Sequence, residues 1–103
     1  MPAEKEKSRS KPEIVVSGEE ALKVAEALNA STMRMLQLLW VEPLDVSTIS
    51  RKLGLSEAYI SKQVKLLENL NLLHSTYLRG KRGIRKVCSP AVEQVTLIIR
   101  KKV

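Results

Sequence analysis

The chain has 103 residues, enough for one domain with a single modest core, and at that size a partner subunit often adds stability. Its apolar fraction of 44% is that of a globular protein, but it comes from aliphatics, since Trp40, Tyr59 and Tyr77 are the only aromatics. One cysteine, Cys88, excludes an intramolecular disulfide, and with the single His74 it cannot supply four zinc ligands, so neither metal nor cofactor is expected. No apolar run reaches the roughly 18 residues of a membrane span, and the N-terminus lacks the apolar segment of a secretory signal; a cytoplasmic protein is expected. The net charge of +7 is unevenly placed. Residues 14–50 hold five acids and two bases, whereas residues 79–90 hold five bases and no acid. A one-sided basic surface favours encounter with phosphate, although charge of this kind also serves solubility alone.

Residues 1–12 mix Lys, Glu, Ser and Pro without apolar periodicity, the pattern of a disordered tail, and residues 13–103 are expected to form one domain. The β-branched run Glu13 to Val16 predicts a short strand. Ser17 followed three residues later by Glu20 matches a capping box and predicts a helix to about Leu28. Asn29 or Ser31 can cap a second helix, whose apolar residues cover most of its circumference and so predict a central position. Within it Met33, Met35 and Trp40 are read as gap-filling core rather than a ligand pocket. Pro43 ends that helix.

From Leu44 the pattern becomes more specific. Asp45 can cap a helix through Leu53, with Leu44 and Ile49 placed as a hydrophobic staple, and Leu55, Ser56 and Ile60 repeat the arrangement. Gly54 between them suits the left-handed position that ends a helix. This is the spacing of a helix-turn-helix, which an ordinary helical hairpin can share. The second helix, Glu57 to about Asn69, turns Ile60, Val64 and Leu67 to one side and Ala58, Ser61, Lys62, Lys65 and Asn69 to the other. The second face has no acid and no bulky aliphatic, with Glu57 and Glu68 toward its edge, so it fits a major groove better than an ordinary solvated face. The stretches ending at Leu78 and starting at Ile84 alternate like paired strands, with Gly80 and Gly83 supplying a tight turn. The cations Arg79, Lys81, Arg82, Arg85 and Lys86 then occupy a hairpin tip and its flanks. His74 and Cys88 fall on the paired strands, where ordinary sheet residues are a better reading than a metal site between subunits. Val92 to Ile99 favour a last strand that can pair with Glu13 to Val16.

Helix, helix, helix-turn-helix and basic hairpin form the order of a winged helix, an α+β fold that is mainly α with a small β-sheet. The segment from Leu44 to Leu73 resembles the ArsR-type winged helix regulators of bacteria and archaea. Ile49, Leu53, Gly54, Leu55, Ser56, Ile60, Ser61, Val64, Leu67, Leu70 and Leu72 carry the resemblance, and Arg34 and Leu36 fit the opening helix. The resemblance covers about residues 14–90. It implies a homodimeric, sequence-specific regulator of transcription that binds double-stranded DNA. The expected DNA contacts are Ser56, Ala58, Tyr59, Ser61, Lys62 and Lys65 on the recognition helix and Arg79, Lys81, Arg82 and Arg85 on the wing, with the first helix and last segment in the dimer interface. The alternatives are an architectural chromatin protein that uses the same cations without base choice, and a docking module for other proteins. The metal-sensing members carry a Cys-x-Cys motif where this chain has Val46 to Lys52 without cysteine, so metal sensing at that place is not implied. The family's common Gly before the first wing strand is replaced by Asn71, which also tolerates a left-handed backbone. No nucleophile and base constellation and no phosphate-binding glycine loop accompany His74, so an enzyme is not expected.

Overall fold

A computed structural model describes residues 12–100. Strand β1 (Glu13–Val16) is followed by helices α1 (Gly18–Ala27), α2 (Ala30–Val41), α3 (Val46–Leu53) and α4 (Glu57–Asn69). Strands β2 (Leu73–Gly80), β3 (Gly83–Pro90) and β4 (Gln94–Leu97) complete the chain. The expected tail lies outside the described residues except for Pro12, whose carbonyl accepts from the Glu93 N–H at 2.9 Å. No helix among the described residues is long and apolar enough to cross a membrane.

The core forms where the helices' inward stripes meet. Val24 and Ala27 of α1, Met35 and Leu39 of α2, Ile49 of α3, and Ile60, Val64 and Leu67 of α4 are buried together with Leu70, Leu72, Leu73 and Cys88. These positions recur at three- and four-residue spacing, which puts each set on one side of its helix. Large-to-small changes among them cost about 2 to 5 kcal/mol each.

Strand β1 pairs with β4 in parallel, Ile14 opposite Val95 and Val16 opposite Leu97, as the β-branched runs at the two ends of the domain suggested. Strands β2 and β3 form the antiparallel hairpin, in register from Leu73 opposite Pro90 to Gly80 opposite Gly83. Leu44 adds a one-residue antiparallel bridge to Cys88, with bonds of 2.8 and 3.2 Å in the two directions. The loop before α3 is thereby stitched to the hairpin's base.

Two local expectations are corrected. Ser17 precedes α1 but its side chain makes no capping hydrogen bond. Gly18, the first residue of the helix, sits at φ +58°, outside the right-handed helical region in which a capping box is built. The expected central burial of α2 holds only on one side, because Thr32, Met35 and Leu39 face inward while Met33 (42%) and Trp40 (50%) stay exposed. A helix apolar all round needs neighbours all round, and here the positions of Met33 and Trp40 are left uncovered. Of the two possible caps for α2, Asn29 is used: it accepts from the Thr32 N–H at 3.1 Å, and Thr32 Oγ1 accepts from the Asn29 N–H at 2.9 Å.

Candidate nucleic-acid interface

The helix-turn-helix is fixed by local polar chemistry. Asp45 Oδ1 accepts from the Thr48 N–H at 2.8 Å and so satisfies an orphan amide at the start of α3. Gly54 ends α3 at φ +69°, its N–H donating to Ser50 O at 2.9 Å. Ser50 then crosses the turn, its Oγ–H donating to the Leu55 carbonyl while its own carbonyl accepts from the Leu55 N–H at 3.1 Å. Ser56 Oγ accepts from the Tyr59 N–H at 3.1 Å and opens α4. Every one of these bonds joins near neighbours in the chain, so this geometry is set locally.

Helix α4 is oriented from behind. Tyr59 is half-buried, packs against the core and brings its hydroxyl within 2.6 Å of Ser31 Oγ. Ser31 Oγ–H donates to Asn29 Oδ1 at 2.9 Å, so the Tyr59 hydroxyl is the donor to Ser31. The polar end of Tyr59 thus points to the start of α2. Tyr59 is one of the DNA contacts that the resemblance implies, and here its hydroxyl is turned to Ser31. Its position one residue before the buried Ile60 puts it on the flank of the inward stripe.

Ala58, Ser61, Lys62, Lys65 and Asn69 are exposed, on the side away from buried Ile60, Val64 and Leu67. Neither Lys62 nor Lys65 forms an ion pair with a described residue. Of the two acids that the helical wheel puts near the edge of that face, Glu57 is exposed and Glu68 is turned toward the hairpin. Its Oε2 accepts a short hydrogen bond from Ser75 Oγ–H and lies 3.6 Å from Lys86 Nζ.

The hairpin carries Lys81 and Arg82 at its two turn positions, between Gly80 and Gly83, with Gly83 at φ +110° where a side chain would be strained. The five cations divide into two groups. Arg79, Lys81 and Arg82 are exposed at the tip and pair with no acid among the described residues. Arg85 is held by Asp45 at 3.7 Å and Lys86 by Glu68, although Arg85 keeps 63% of its side chain in solvent.

Asp45 is held below the ordinary carboxylate range, first by the hydrogen bonds from Thr48 and then, against some desolvation, by Arg85 and Arg51. Burial raises the Cys88 thiol above its ordinary value, and the Ser75 contact and Lys86 oppose this only in part. His74 pairs with Ser89 and Cys88 with Ser75, so the two sit on opposite faces of the hairpin and do not share a site. No group of three His, Cys, Asp or Glu that could hold a metal occurs among the described residues.

No family model matches the chain, and no curated protein matches it in sequence. The chain is similar to the solved structure of a point mutant of Lactococcus lactis ZitR, with a TM-score of 0.54 and 25% identity over 61% of this chain. The match spans 42% of the ZitR chain, less than half its length. The order of four helices and wing, together with this likeness, makes the fold a winged helix-turn-helix of the α+β class.

Proposed function

We propose that the protein is a sequence-specific regulator of transcription of the ArsR type, acting in the cytoplasm as a homodimer on double-stranded DNA, with no catalytic activity. Helix α4 enters the major groove, where Ala58, Ser61 and Lys62 meet base edges while Ser56 and Lys65 meet flanking phosphates. Arg79, Lys81 and Arg82 lie along the backbone or in the adjacent minor groove, with Arg85 at its rim. The observation that carries this reading is the sorting of charge. Ala58, Ser61, Lys62, Lys65 and Asn69 on the outer face of α4 and residues 79–83 at the hairpin tip include no acid; Glu57 stays exposed at the edge of that face, while Glu68 is turned to Lys86 and Ser75. Tyr59 supports the contact surface from behind instead of reading bases.

The dimer reading draws on the opposite part of the fold. Helix α1 and the end of β4 enclose a mainly apolar groove of about 470 Å³ lined by Leu22, Ala25, Leu97, Ile98 and Ile99 together with Glu19 and Arg100, with Leu22 and Ile99 exposed. A second copy covers such a surface by two-fold self-contact.

A second reading, a non-specific architectural protein, draws on the tip, whose flexible cations suit any phosphate backbone. Selection of bound sites from random duplex DNA at moderate salt decides between the two. An enriched two-fold motif supports the regulator, and strong binding without enrichment supports the architectural protein. Absence of binding refutes both.

A further inference from the structure

We propose that Glu68 is a positioning residue that sets the angle between α4 and the wing, with the Asp45–Arg85 pair as its counterpart on the other face of β3. Arg85 and Lys86 are consecutive in an extended strand, so their side chains leave opposite faces of the ribbon. Asp45, at the start of α3, takes the first, and Glu68, in the last turn of α4, takes the second. Glu68 also accepts from Ser75 on β2, so one carboxylate ties both strands of the hairpin to α4. The Leu44–Cys88 bridge pins the same level of the ribbon.

Beyond these anchors the hairpin is unsupported, since every residue from Thr76 to Ile84 is exposed. At about 3.3 Å per residue the tip lies roughly 10 to 17 Å from the anchors. A rotation of about 10° at the base therefore displaces the tip by about 2 to 3 Å, comparable to a whole hydrogen-bond length. Partly exposed ion pairs of this kind add little to stability. Their effect is on direction: they hold the tip cations where they reach the duplex that α4 occupies. The functional half of this inference rests on the DNA-binding reading above, whereas the structural half does not.

Removing one acid beside DNA strengthens attraction to phosphate whatever else it does, so affinity alone is ambiguous for Glu68→Gln. A double-mutant cycle separates the two effects. Affinity for a duplex is measured for the parent, Arg79→Ala/Arg82→Ala, Glu68→Gln and the combination. In the parent, removal of two tip cations should weaken binding by on the order of tenfold at moderate salt. In the Glu68→Gln background the same weakening should shrink at least threefold, because a misdirected tip contributes less. An equal weakening in both backgrounds overturns the proposal.

A second arm needs no DNA. Backbone relaxation by NMR should show lower order at Lys81, Arg82 and Gly83 in Glu68→Gln, with the amides of α4 unchanged. Unchanged order at the tip overturns the positioning role even if both proteins bind DNA. If the parent binds no duplex, the DNA-binding reading fails, and the tip amides alone decide for or against Glu68.

Discussion

The Tyr59 hydroxyl donates to Ser31, whose own proton goes to Asn29, so a residue on α4 is fixed to the first turn of α2. Tyr59→Phe removes one partly buried hydrogen bond and should lower stability by roughly 0.5 to 1.5 kcal/mol while leaving the preferred DNA sequence unchanged. Denaturation and site selection on the variant check both halves, and an altered motif would return Tyr59 to the groove. Asp45 provides a second test. Its carboxyl is held down in the folded state by Thr48 and Arg85, so its charge stabilises the fold above the ordinary carboxylate range. That contribution fades as pH falls below about 4, through the depressed folded value. Asp45→Asn keeps a capping oxygen but no charge. The parent should melt higher than this variant near neutral pH, and the two should converge in strong acid. A gap that persists in strong acid would mean that the cap's charge is not responsible. Cys88, buried with its thiol pushed up, should react with a thiol reagent only as fast as the domain opens.

Among the elements, α3, its turn and α4 were legible in the sequence because their determinants are local. Asp45, Gly54 and Ser56 act on amides or carbonyls within about one helical turn, and periodicity identifies the buried Ile60, Val64 and Leu67. The hairpin was legible for the same reason, from Gly80 and Gly83. What the sequence did not disclose are contacts between distant residues. Tyr59 meets Ser31, Asp45 meets Arg85, and Leu44 bridges Cys88, each pair far apart along the chain. Periodicity says which side of an element is apolar but not which polar residue closes the packing. Ser17 shows the converse failure, a correct local pattern overridden by the left-handed Gly18. The proposed division of labour between wing and helix rests on this layout. Replacing two tip cations by Ala should weaken binding to all duplexes alike and flatten the salt dependence by about one for each phosphate no longer neutralised. Replacing Ser61 or Lys62 should change which sequence is preferred, by roughly 1 to 3 kcal/mol for each base interaction removed. Indifference of both properties to the tip would make the hairpin a solvated turn.

For the whole molecule, acidic residues gather on α1, exposed apolar residues at α1 and the end of β4, and basic residues at α4 and the wing. Sedimentation at tens of micromolar should give a dimer, and Leu22→Glu, which puts a charge into the apolar groove, should give a folded monomer. An unchanged dimer in that variant would place the interface elsewhere. On DNA the two recognition helices of a dimer should sit roughly 34 Å apart, one turn of duplex. Zinc, arsenite and cadmium should leave DNA affinity unchanged, as fits a chain with no Cys-x-Cys motif, and release by stoichiometric metal would contradict this. The central claim, that this winged helix uses its unpaired cations on duplex DNA, is tested most directly by the salt dependence of binding to one duplex. A dimer that neutralises about 6 to 10 phosphates gives a log-log slope near −5 to −9. A slope near zero, or no binding at low salt, would contradict it.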